Sequence, residues 1–175
     1  CGGASSNCSG YPLSYEYFIS KYNVSGVFQW TQQYHHDGYT SNAFGITTDI
    51  SGNVFVAGST DGNLETGSGS SRGLYDYFIS KYNTNGARQW TKQLGQTGKG
   101  TDGFGITTDA TGNVLITGVT AGNLASCGGV SASCSGNSVG TNDYYVSKYS
   151  TAGIFQWTRQ LGEAAKSTYG PGIAT

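Results

Sequence analysis

The stretch YDYFISKYNTNGARQWT, residues 75–91, decides the fold because it is written three times. Residues 15–31 read YEYFISKYNVSGVFQWT, and residues 142–158 read NDYYVSKYSTAGIFQWT. A second block lies between the copies: FGITTDISGNVFVAGSTDGNL at 44–64 returns as FGITTDATGNVLITGVTAGNL at 104–124, and GIAT at 172–175 repeats its opening. Trp30, Trp90 and Trp157 mark the period. Self-similarity at this spacing means one supersecondary unit used repeatedly, each copy burying a face of its neighbour.

Within each copy the residues spell strands and tight turns. Residues 15–23 form a strand, Asn23-Val24-Ser25-Gly26 turns, and residues 27–33 return, giving a hairpin. Residues 44–49 form the next strand. Asp49 then accepts backbone N–H groups in an Asx-type turn with Gly52 and Asn53, and residues 53–60 return. Asp109, Gly112 and Asn113 repeat that turn. Each unit is therefore four antiparallel strands. The returning strand is almost wholly apolar (Val54-Phe55-Val56-Ala57, then Val114-Leu115-Ile116-Thr117), which predicts burial on both of its faces. A four-stranded sheet sandwiched between copies of itself is a propeller blade, so the expected class is all-β, with about 2.5–3 blades in the chain.

Composition agrees. The 175 residues hold 29 Gly and 13 Tyr, no Met, and only 11% charged residues. No window sustains helical periodicity. With a net charge of −1 and no basic cluster, nucleic acid and anionic membranes make poor partners. No apolar run approaches the roughly 20 residues of a membrane span. No leader is visible and residue 1 is not Met, which reads as a processed chain or a part of a longer one.

The phrases Phe-Ile-Ser-Lys-Tyr-Asn, Gln-Trp-Thr-Lys-Gln-Leu-Gly and Gly-Ile-Thr-Thr-Asp-x-x-Gly-Asn-Val, in that order, resemble the bacterial seven-bladed β-propeller repeat family known as SBBP. The resemblance covers nearly the whole chain outside its variable loops. It implies that the Gly-Ile strand is innermost, the Gly-Asn-Val strand second, the Ser-Lys-Tyr strand third and the tryptophan strand outermost. Ile46 and Ile106 would then line the hub side, and Trp30, Trp90 and Trp157 the rim. The resemblance also implies a secreted or cell-surface protein.

Seven blades at this spacing need more than 175 residues. The expected partition is a partial blade at 1–43, blades at 44–103 and 104–168, and the start of another at 169–175. One blade face of four strands covers about 360 Å². Leaving it wet forfeits up to roughly 9 kcal/mol, against a typical domain stability of about 5–15 kcal/mol. The open faces therefore call for further blades, or for other copies of the chain joined end to end in a ring or filament, although the two ends are not in complementary phase and such a junction lacks a second strand.

The cysteines fall in two couples of equal spacing, Cys1 with Cys8 and Cys127 with Cys134, each ahead of a Ser-Lys-Tyr strand. Couples that come and go together in a glycine-rich loop read as local disulfides and place the chain outside the reducing cytosol. Zinc fits less well, because the spacing is wrong and no His adjoins either couple. A lipid-bearing Cys1 fits less well too, since Cys8 already serves as its mate.

No catalytic constellation emerges. Asp49 and Asp109 supply one carboxylate per turn, too few for calcium. His35-His36-Asp37 is the sole histidine cluster, and neighbours on an extended chain point apart. Glu16, Asp76 and Asp143 recur ahead of the Ser-Lys-Tyr strands and read as strand-edge charges. Lys21, Lys81 and Lys148 suit either acidic glycans or packing over aromatic rings. The sequence reading is thus a non-catalytic extracellular or cell-surface structural protein that needs no cofactor or metal and whose partner is itself. The alternative is an adhesion propeller binding carbohydrate or protein through the loops that differ between copies, residues 65–74, 125–141 and those around His35 and Lys99. A quinoprotein-like enzyme ranks third.

Overall fold

The computed structural model describes residues 15–34, 38–66, 70–170 and 172–175. Cys1, Cys8 and the His35-His36-Asp37 cluster lie outside the described residues. Ten strands run in sequence: β1 Tyr17–Tyr22, β2 Phe28–Tyr34, β3 Ser41–Thr48, β4 Val54–Thr60, β5 Asp76–Tyr82, β6 Arg88–Leu94, β7 Thr101–Thr108, β8 Val114–Thr120, β9 Asp143–Tyr149 and β10 Phe155–Leu161. Hairpin β1–β2 stands as a two-stranded sheet, while β3-β4-β5-β6 and β7-β8-β9-β10 form two four-stranded antiparallel sheets. The repeated block therefore supplies strands one and two of each sheet. The Tyr75–Thr91 stretch and its C-terminal copy supply strands three and four.

The sheets stack face to face, as propeller-type blades do. Strand β4 shows why it is almost wholly apolar. Val54 and Val56 enter a buried cluster with Tyr17, Ile19 and Phe78. Phe55 and Ala57 enter the opposite cluster with Ile106, Ile116 and Tyr145. Alternating side chains of one strand thus seal two seams, and all seven of its residues are buried. The innermost strands meet closely: a Cβ on Gly45 would lie 2.6 Å from the Phe104 carbonyl oxygen and 3.0 Å from the Ile106 side chain. Across the same seam the Phe44 and Phe104 rings pack edge to face at 5.7 Å.

Both sheets also carry a bulge in the first strand, between Ala43 and Gly45 and between Gly103 and Gly105. Opposite the first bulge sits Gly58, where an added Cβ would fall 1.8 Å from the Asn42 carbonyl oxygen. Backbone cannot yield there. We expect Gly58→Ala to destabilise the chain by about 1–3 kcal/mol. Gly100→Ala, where nothing lies within 4 Å, should stay within about 0.5 kcal/mol of the parent. Urea midpoints of the two variants check this.

Candidate functional site

The chain's most repeated side-chain arrangement is the seam between blades. In all three Ser-Lys-Tyr hairpins the register slips one residue just before the tryptophan, which sets Lys21 opposite Trp30, Lys81 opposite Trp90 and Lys148 opposite Trp157. The bulge thus places an ammonium and an indole N–H side by side. Both reach for one carbonyl in the following hairpin's turn. Trp30 Nε1 donates to the Thr84 carbonyl at 3.0 Å, and Lys21 Nζ donates to the same oxygen at 3.2 Å. One seam further on, Trp90 Nε1 meets the Thr151 carbonyl at 3.3 Å and Lys81 Nζ meets it at 2.9 Å. The Lys81 ammonium also lies over the Phe55 ring, 5.2 Å from its centroid.

The Trp30 and Trp90 indoles each lie on a glycine. A Cβ on Gly86 would sit 2.9 Å from the Trp30 ring, and one on Gly153 would sit 3.0 Å from that of Trp90. Both glycines have φ near +80°, so the turn demands glycine for its backbone as well as for the ring above it.

Deeper in each seam a tyrosine pair adds a second contact. The Tyr17 hydroxyl lies 2.9 Å from the Tyr82 hydroxyl, and that of Tyr77 lies 2.7 Å from that of Tyr149. The same rings stack: Tyr17 on Phe78 at 5.1 Å, and Tyr77 on Tyr145 at 5.2 Å. Burial raises the phenols of Tyr17, Tyr77, Tyr82, Tyr145 and Tyr149 above their ordinary range. They stay protonated, as a donor in each hydroxyl pair must.

The carboxylates ahead of the Ser-Lys-Tyr strands overturn one expectation. Asp76 and Asp143 are buried, not surface charges at a strand edge. Asp76 accepts the backbone N–H groups of Arg72 and Gly73 and the Gln93 side-chain amide. Asp143 accepts those of Val139 and Gly140 and the Gln160 amide. Glu16 accepts from Gln33 in the equivalent place. These residues fasten the variable loop to the sheet below it. Gly95 and Gly162 complete the contact, because a Cβ on either would overlap the carboxylate.

In the variable loop after β8, Cys127 and Cys134 form a disulfide. The loop reaches back to the preceding blade. The Gly95 N–H donates to Ser131 Oγ at 3.2 Å, and the Gln96 amide donates to the Gly136 carbonyl at 2.6 Å. The sequence had shown a couple of cysteines but not this bridge between blades. Asp49 and Asp109 each accept from their own turn: from Ser51 N and Asn53 N, and from Thr111 N and Asn113 N. Gly52 and Gly112 hold positive φ there. Ile106 is buried against Gly45, whereas Ile46 is 60% exposed. Among the described residues no inner strand precedes Ile46, as β3 precedes Ile106. No group of three or more His, Cys, Asp or Glu gathers among the described residues.

Face-to-face stacks of four-stranded antiparallel sheets, locked by recurring side chains, define a propeller-type repeat protein. The family model described as SBBP, a beta-propeller repeat, matches residues 29–65 and 89–125, so the chain carries two copies of that repeat. Each match runs from the tryptophan strand of one blade through the first two strands of the next and therefore spans a seam. No curated protein matched the chain.

Two carboxylates are held below their usual range. Lys148 and Asn113 hold the Asp109 carboxyl well below its usual range, outweighing its partial burial. Burial pushes Asp143 up, but the bonds from Gln160, Gly140 and Val139 outweigh it and leave that carboxyl lowered. A lowered carboxyl contributes stability that is complete above its unfolded value, near 3.9, and is lost as pH falls through the folded one. We therefore expect thermal midpoints that are level from about pH 7 to 5 and decline below about pH 4. Asp109→Asn should show a shallower decline, read by circular dichroism melts.

Proposed function

We propose that this chain is a non-catalytic structural protein of the cell exterior whose working part is the stack of blades, extended end to end by further copies of itself. The observation that carries the reading is the repeated seam. The residues that differ least between copies are spent on fastening one blade to the next. Polar side chains that recur in sequence, the Asp and Gln of the two later loops and the Lys and Trp of the first two hairpins, bond to backbone. The Cys127–Cys134 disulfide supports a setting outside the reducing cytosol. No helix among the described residues is long and apolar enough to cross a membrane.

The test is mass against concentration. At 18.3 kDa per chain, light scattering should report an average mass that rises well above one copy as concentration increases. A mass that stays at one copy throughout rejects the end-to-end reading.

One observation favours a second reading, recognition through the variable loops. A polar cleft is lined by Asn63, Glu65, Arg72, Asp76, Gln93 and Ser131. It encloses about 130 Å³, below the roughly 300 Å³ at which ligand pockets begin. Under this reading a glycan array gives binding that Arg72→Ala abolishes. Binding that survives the substitution, or none at all, removes it.

A further inference from the structure

The loop after β8 touches the preceding blade at points inside and outside the ring that its disulfide closes. Gln96, buried in the connection after β6, accepts the Asn123 N–H at 2.8 Å and donates to the Gly136 carbonyl at 2.6 Å. Asn123 and Gly136 lie outside the ring. Ser131 lies within it, and its Oγ accepts the Gly95 N–H at 3.2 Å.

The limbs of the loop are joined without the disulfide as well. Gly122 and Asn137 form an antiparallel bridge, and the Ser135 N–H donates to Ser126 Oγ at 3.0 Å. Residues 128–133 have fewer ties. Their backbone bonds only close short turns, from Val130 to Cys127, from Ser133 to Val130 and from Cys134 to Ser131. Gly129 lies beneath the Phe155 ring of the same sheet, and Val130 is exposed. Among the described residues, the bond to Ser131 is the one hydrogen bond that fastens residues 128–133 to another blade.

Ser131 also lines the polar cleft of that blade, with Asn63, Arg72, Asp76 and Gln93. One wall of the cleft is thus supplied by the neighbouring blade, on a ring closed by a single S–S bond. The two sulfurs are placed differently. Cys127 is 1% exposed and packs in the core with Leu94 and Leu124, whereas Cys134 is half-buried. A reductant can therefore reach the Cys134 sulfur while Cys127 stays anchored.

We propose that the Cys127–Cys134 disulfide is a redox-sensitive latch. Closed, it holds Ser131 on Gly95 and completes the cleft; reduced, it frees the ring and removes that wall while both sheets stay folded. The uneven attachment of the loop carries the inference. Splitting the bond leaves Leu124 and Cys127 in the core and Gln96 on both limbs, so the loop keeps its ends. It loses the constraint on residues 128–133, which include two glycines at positive φ that are costly to order. One neutral hydrogen bond is worth less than the entropy of ordering the residues that carry it.

The reductant is a dithiol. One of its thiolates attacks the Cys134 sulfur, a mixed disulfide forms, and Cys127 leaves as a thiolate that takes up a proton. The second thiolate of the dithiol then displaces Cys134, which is protonated in turn. Two electrons have passed from the dithiol, now a disulfide, to the two cysteines, now thiols. The inference goes beyond the readings above and stands whether or not the cleft binds a glycan.

Amide hydrogen exchange on the full chain, resolved by residue with nuclear magnetic resonance, tests it. The oxidised parent is compared with the parent reduced by dithiothreitol, with Cys127→Ser/Cys134→Ser, and with oxidised Ser131→Ala. In all three the Gly95 amide should exchange roughly tenfold faster or more, the loss of one hydrogen bond. The Asn123 amide, held by Gln96, and the strand amides of Ile79 and Ile116 should keep their rates. Dithiothreitol acts on any disulfide of the chain, whereas the double variant alters this pair alone. A Gly95 amide that keeps its rate in the reduced parent or in the double variant means that Ser131 stays in place without the bond, and overturns the proposal. A rise shared by Asn123 and the strands also overturns it, because the disulfide is then a support of the whole fold. If Ser131→Ala leaves Gly95 unchanged, the protection there has another source and the latch is rejected.

Discussion

The structure depends on a single backbone carbonyl in each hairpin turn, that of Thr84 or Thr151. It accepts two donors from the blade before it, one of them charged. A charge-assisted bond of this kind is stronger than a neutral one and more exacting about position. The lysine stem and the indole add apolar contact around the polar point. Three local features have to agree for the contact to form. The bulge brings lysine and tryptophan side by side, the glycine clears room for the ring, and the turn aims its carbonyl outward. Each feature is local in sequence, yet its product is a contact across about 60 residues. The seam therefore links hairpin conformation directly to blade stacking.

A second constraint works at the other end of the sheets. Each variable loop is tied down by a buried acid and a glutamine before it departs, with Asp76 and Gln93 in one blade and Asp143 and Gln160 in the next. Gln93 and Gln160 also accept the backbone N–H of Leu64 and Leu124. A buried carboxylate without such donors would cost several kcal/mol. Fastened this way, the loop can vary in length and content without disturbing the strands. The loop after β8 is longer than its counterpart after β4, carries the disulfide, and still returns to the same place at Asp143.

Much of the fold was legible in the sequence, for a physical reason. Apolar strand runs, Asx turns and glycine turns are local properties, and repetition showed which of them mattered. The apolar run at Val54–Ala57 announced burial on both faces, and the two clusters it joins bear that out. The seam was not legible, because its central acceptor is a main-chain oxygen that no residue type advertises. Lys21, Lys81 and Lys148 looked equally suited to a glycan or an aromatic ring until the turn of the next blade was in place. Asp76 and Asp143 were misread for a related reason. Strand-edge position argued for exposure, while their donors come from loop backbone whose path the sequence does not reveal. The spacing Tyr-x-x-x-x-Tyr in each copy was the signal that had been available, since it sets one hydroxyl on each side of a seam.

Stability in a stack of this type is close to a sum of blade terms and nearest-neighbour seam terms. An interior blade shares two seams and an end blade only one, so the ends are the least stable part of any finite stack. Their exposure is visible here as Phe18, Tyr22 and Ile46 at one end and Leu161 and Tyr169 at the other. Under the end-to-end proposal, a further blade would build a seam of the kind already present inside the stack, and the force favouring it would be the one that folds the interior.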